Sequence, residues 1–105
     1  MDEFSVSRRR VGDAIVVAPS GEIDLATIDA LQAEVDAAAS EASPVVLDLR
    51  EVTFIDSAGL RLVLETSRKA APFRVVRGPR EVQRIFALVG LEERLEMLDE
   101  PPPAA

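Results

Sequence analysis

Apolar and polar side chains alternate from Phe4 to Val11, with Phe4, Val6 and Arg8 set against Ser5, Ser7 and Arg9. That is the period of a strand with one polar face. Gly12-Asp13 reads as a turn and Ala14-Ile15-Val16-Val17-Ala18 as a second strand, so residues 4–18 form an expected hairpin. Pro19-Ser20-Gly21 is expected to break that strand. Beyond Gly21-Glu22-Ile23-Asp24 the period becomes helical. Ile28, Leu31, Val35 and Ala38 fall on one face, and Asp29, Asp36 and Ser40 on the other. Asp24 is the candidate N-cap. The helix is expected to end near Glu41, ahead of Ser43-Pro44.

Val45-Val46-Leu47-Asp48-Leu49 is β-branched and nearly all apolar, as a buried central strand would be. Asp48 interrupts the run and is placed at the exposed end of the strand. Residues 50–55 read as a loop with apolar plugs. Asp56-Ser57-Ala58-Gly59 opens a second helix, with Leu60, Val63, Leu64 and Ala71 on its core face. Arg61, Glu65, Arg68 and Lys69 lie outside, where Arg61/Glu65 and Glu65/Lys69 are spaced i,i+4. Phe73-Arg74-Val75-Val76 is a further strand. Gly78-Pro79 starts a third helix, with Pro79 at or near N1, Val82, Ile85, Phe86 and Val89 facing the core, and Gly90 at C′. Residues 94–98 are a short last strand. Residues 1–99 are thus expected to form one domain and residues 100–105 a flexible, proline-rich tail.

Strands alternating with helices imply an α/β fold. The expected sheet is mixed but mostly parallel, with about five strands and three main helices packed on it. In such sheets, sites form in the loops beyond the carboxyl ends of the strands. The segment from Leu49 to Gly59 is such a loop.

Composition narrows the chemistry. The 105 residues include no Cys, His, Trp or Tyr. Disulfides and thiolate chemistry are excluded, a Ser-His-Asp triad lacks its proton carrier, and zinc or haem lacks its usual ligands. Carboxylate sites for Mg²⁺ or Ca²⁺ survive this test, and Glu22, Asp24, Asp48 and Asp56 are the residues that could supply one. With no apolar pocket to argue from the sequence and Lys69 the sole lysine, no enzyme, cofactor or metal is expected. The formal charge of −7 disfavours nucleic acid as a partner. Acids are concentrated before residue 61, a solvated face or a docking face for a basic partner. Arg8-Arg9-Arg10 reads as charge that keeps an edge strand from pairing with other sheets. No apolar run reaches the roughly 20 residues of a membrane span. A cytoplasmic protein, monomeric when free and without direct membrane binding, is expected.

Asp56-Ser57-Ala58-Gly59 supports two readings. In one, Asp56 or Ser57 caps the helix and Gly59 allows close packing. In the other, Ser57 is a phosphate acceptor. A helix N-terminus tolerates added negative charge, and phosphate would add about −1.5 to −2 charges there. A partner seated across the helix start would then be repelled.

Three segments carry a resemblance: GEIDLAT at 21–27, VVLDLREVTFIDSAGLRLVLE at 45–65 and VQRIFALVGLEERLEMLD at 82–99. Together they look like the STAS domain of bacterial anti-sigma factor antagonists, in the same order and over roughly residues 4–99. The resemblance implies a protein that binds an anti-sigma factor serine kinase when unphosphorylated, freeing a sigma factor. The kinase would phosphorylate Ser57 and a cognate phosphatase would restore it. Glu22, Asp24, Thr27, Asp56, Ser57, Ala58, Gly59 and Arg61 match the surface that meets the kinase. Many relatives carry a second serine after the acceptor, where this chain has Ala58. Small STAS proteins also resemble accessory subunits that brace the ATPase of lipid-transport ABC complexes, a role that needs no phosphate.

Overall fold

The computed structural model describes residues 3–70 and 72–103. An antiparallel hairpin opens the chain: β1 (Ser5–Val11) pairs with β2 (Ala14–Ile23), Val11 opposite Ala14 and Ser5 opposite Ser20. The expected break at Pro19 does not occur, and β2 runs through it. Ile15 N–H donates to Pro44 O, so the odd-numbered N–H groups of β2 point away from β1. On that side one parallel ladder ends at Val17 and the next begins at Ser20, so Pro19 sits where no strand requires its missing donor. Gly21 follows with φ +107, and a Cβ there would stand 3.3 Å from Phe4 Cα.

β3 (Val45–Asp48) and β4 (Glu51–Ile55) lie end to end beside β2, both parallel to it. β4 corrects the expectation of a loop at 50–55 and makes the sheet six-stranded rather than about five. Val52 and Ile55 are buried while Glu51, Thr53 and Phe54 are exposed. A shift of register between Gly21 and Glu22 accommodates this spacing, which departs from a two-residue alternation. β5 (Phe73–Val76) pairs with β3, and β6 (Glu96–Leu98) pairs with β5, again in parallel.

α1 (Ile28–Ala39), α2 (Ser57–Lys69) and α3 (Arg80–Leu88) share one core with the sheet. Ile15, Val17, Val45, Leu47 and Val75 face Leu31 and Val35 of α1, Leu62 and Val63 of α2, and Val82 and Phe86 of α3. The opposite sheet face holds a second cluster of Ala14, Val16, Val46 and Val76, flanked by Val11 and Leu98. Arg8 and Arg10 reach from the edge strand β1 to Glu34 (3.6 Å) and Glu41 (3.2 Å).

Several placements differ from the sequence reading. Asp48 is buried, not at an exposed strand end. Its carboxylate accepts from Arg50 Nε and Nη2, the latter at 3.0 Å, and from Arg50 N–H. These charged bonds offset the cost of burying a carboxylate, and they hold the Arg50 pKa above its usual range. α1 stops at Ala39 rather than near Glu41. In α2 the fully buried positions are Gly59, Leu62, Val63 and Thr66, while Leu60 and Leu64 are half-buried and pack against the core as expected. Thr66 tolerates burial because its hydroxyl donates to Leu62 O at 2.7 Å. Ala71 lies outside the described residues. The spaced pairs Arg61/Glu65 and Glu65/Lys69 are not among the ion pairs of the described residues. Pro79 stands next to N1 as expected, as the N-cap of α3, but Val89 is exposed rather than in the core. Gly90 does take the positive φ of a helix end, at +76.

Candidate functional site

Ile23 and Ile55 are partners at the ends of β2 and β4, and each is followed by aspartate. Asp56 N–H donates to Ile23 O at 3.1 Å, which ties the start of α2 to the end of β2. The Asp56 backbone is extended, with φ −107 and ψ −171, as an N-cap requires. Its Oδ1 accepts from Ala58 N–H (2.9 Å) and Gly59 N–H (3.3 Å), two donors that have no partner within the helix. Gly59 is buried beneath this turn. A Cβ there would stand 2.6 Å from Ile55 Cγ1 and 2.8 Å from Ile23 Cγ2, so only glycine lets α2 seat this closely on both isoleucines.

With Asp56 serving as the cap, the Ser57 hydroxyl is left over. Ser57 is exposed as the first residue of α2, and its side chain takes part in none of the hydrogen bonds among the described residues. Of the two possible caps in the Asp-Ser pair, the structure selects Asp56.

The neighbouring loop is built differently. Asp24 is not the N-cap of α1, since that place belongs to Thr27, whose side chain does not cap either. Asp24 Oδ1 instead accepts from Ala26 N–H at 2.9 Å, closing a local turn. Thr27 Oγ1 donates to Glu22 O at 2.7 Å and accepts from Asp24 N–H at 3.0 Å. The loop is thereby fastened to the end of β2, and Leu25 projects from it with 81% of its surface exposed.

Two grooves flank the start of α2. One of about 300 Å³ is lined by Leu25, Ile28 and Gln32 on one side and by Ser57, Ala58, Arg61, Leu62 and Glu65 on the other. The second, of about 290 Å³, runs from Ser57, Leu60, Arg61 and Leu64 to Val89 and Leu91. Leu88 and Val89 are exposed apolar residues at the end of α3, and Val89 lines this groove. The structure therefore brings Asp56, Ser57, Ala58 and Arg61 to one surface, with the Asp24–Thr27 loop beside it through Leu25. Glu22 is exposed but lines a different groove, with Arg50, Glu51 and Pro79. The sequence reading missed Leu25, Leu88 and Val89 as surface residues. Leu25 carried a signal, being an isolated leucine outside the helical repeat. No group of three or more metal-ligating side chains occurs among the described residues. No helix among them is long and apolar enough to cross a membrane.

A family model described as "Mlab, STAS domain" matches residues 6–99. The chain belongs to the STAS-domain family of anti-sigma factor antagonists. Anti-sigma-F factor antagonist RsfB of Mycobacterium tuberculosis is 30% identical over 100 residues, 91% of this chain and 82% of RsfB. The crystal structure of an anti-sigma factor antagonist from Mycobacterium paratuberculosis superposes with a TM-score of 0.88 at 27% identity, covering 93% of this chain and 87% of that one. SpoIIAA of Bacillus in its phosphorylated form shares the fold, with a TM-score of 0.66 at 18% identity and 93% of each chain covered. In this STAS domain, Asp56-Ser57-Ala58-Gly59 stands where β4 of the shared fold gives way to α2.

Proposed function

We propose that this protein, when unphosphorylated, binds an anti-sigma factor that is itself a serine kinase, frees a sigma factor, and is switched off by phosphorylation of Ser57. The observation that carries this reading is the exposed Ser57 hydroxyl, which takes part in no hydrogen bond among the described residues, on a helix start already capped by Asp56. The hydroxyl can be modified without uncapping the helix. Its relatives' names supply the class of partner, an anti-sigma factor.

In the transfer, the γ-phosphoryl group of ATP moves to Ser57 Oγ. The bond to ADP breaks, the new O–P bond forms, and the hydroxyl proton passes to a base of the kinase. Ser57 is the substrate and the catalytic groups belong to the partner. Asp56, Ala58 and Arg61 border the contact, and Asp24 and Thr27 hold the loop beside it. Glu22 extends the acidic margin that steers a basic partner. Gly59 acts from below, by letting the helix sit close to the sheet. A dianion at the centre of this surface opposes the partner by charge and by desolvation. A cognate phosphatase restores the hydroxyl, and the cycle runs in the cytoplasm.

The test is mass spectrometry of wild type and Ser57→Ala after incubation with ATP and a lysate of the source cell. One phosphate, mapped to Ser57 and missing from Ser57→Ala, is the expected result. Ser57→Ala also retains the kinase, because the mutation leaves the unphosphorylated surface nearly unchanged. No phosphate on wild type, in a lysate that phosphorylates a control antagonist, overturns the switch. That result would favour a bracing subunit of an ABC transporter.

A further inference from the structure

Ser57 and Arg61 are common to both grooves beside α2. They are spaced i,i+4, which sets Cβ atoms about 5–6 Å apart on one helix face. Both are exposed. Arg61 takes part in none of the ion pairs among the described residues, and it is the one cation lining either groove. Its charged neighbours are Glu65, one turn further along α2, and the N-cap Asp56, whose Oδ1 is occupied by the helix cap. The facing walls bring no charge: Leu25, Ile28 and Gln32 on one side, Val89 and Leu91 on the other.

We propose that Arg61 is the intramolecular partner of the phosphoryl group on Ser57, folding along α2 to pair with it. The inference rests on the reading of Ser57 as phosphate acceptor. A guanidinium offers a planar fork of donors that matches two phosphate oxygens at once. An anion placed N-terminal to a cation at i,i+4 is the favourable order along a helix, and an anion on the first turn also suits the helix dipole. Phosphorylation then changes the surface twice, adding a dianion and withdrawing the one cation between the grooves. A partner that meets Arg61 with a carboxylate loses that contact in the same step. A carboxylate at position 57 is shorter and singly charged, so Ser57→Asp reproduces the switch incompletely.

The test needs no kinase. Phosphoserine is installed at position 57 during translation, in wild type, Arg61→Gln and Arg61→Lys, and the phosphate is titrated by phosphorus NMR at low salt. A nearby guanidinium favours the dianion, so the second phosphate pKa is lower in wild type. The expected difference from Arg61→Gln is about 0.15 to 0.4 pH units, with Arg61→Lys in between. The difference shrinks as salt approaches about 1 M. Identical titrations in wild type and Arg61→Gln, with unchanged circular dichroism, would overturn the pairing and leave the switch standing. Failure of the lysate to phosphorylate Ser57 would overturn the switch and leave this titration as it is.

Discussion

Ile23-Asp24 and Ile55-Asp56 are the same dipeptide at the same end of two paired parallel strands, yet their aspartates do different work. At the end of β4 the helix begins immediately. Asp56 stays extended, its carboxylate takes two N–H groups of the first turn, and α2 settles onto both isoleucines through Gly59. At the end of β2 the helix is delayed. Asp24 closes a turn with Ala26, Thr27 ties the loop back to Glu22, and α1 starts only at Ile28. The first junction exposes a small hydroxyl on a rigid helix start, and the second exposes Leu25. A capping residue works as one only where the next turn has room to seat against the sheet, and Gly59 supplies that room.

The comparison can be broken most forcefully at Gly59. Gly59→Val places carbon atoms where Ile23 and Ile55 already lie. It is expected to lower the unfolding free energy by about 3 kcal/mol, the upper end of overpacking effects. Urea denaturation measures this. Near-wild-type stability would mean that the close seating of α2 is not what the glycine provides.

Asp56→Ala comes next. It removes the cap and is expected to cost about 1 kcal/mol, while Asp56→Asn keeps most of it. The same urea titration, run on both variants, checks this order. Equal losses in the two would show that charge, not capping geometry, is what matters at this position.

Thr27→Val has the smallest effect. It removes the hydroxyl bonds to Glu22 O and Asp24 N–H at a half-exposed site where water can replace them. A loss of about 0.5 kcal/mol is expected, near the low end for a hydrogen bond. The thermal midpoint should drop less than for Asp56→Ala. A larger drop would make the Asp24–Thr27 loop, rather than the Asp56 cap, the mainstay of this end of the sheet.

Much of the frame was legible in the sequence. The hairpin, all three helices and the strands at 45–48, 73–76 and 96–98 follow from periodicity and turn residues, and a cap at either Asp56 or Ser57 from capping preference. β4 was not legible. Its buried residues, Val52 and Ile55, are three apart because Thr53 is an extra residue in β4, which shows only in the register against β2, thirty residues earlier. Nor was the burial of Asp48, because a run of apolar residues gives no sign that Arg50 will fold back on the carboxylate. Val89 fits the helical repeat of α3, but the helix ends at Leu88, before the repeat can bury it.

The sequence by itself determined the alternation of strands and helices, a capped helix start at Asp56-Ser57 and the family resemblance. Each rests on signals that act within a few residues of one another or on a recurring order of segments. Only the tertiary structure decided that β2 continues through Pro19, that Asp24 is not a cap, and that Leu25 and Val89 stand on either side of Ser57. Those outcomes depend on which strand ends beside which and on how closely a helix can approach the sheet. Such contacts join residues far apart in the chain, and no local pattern encodes them.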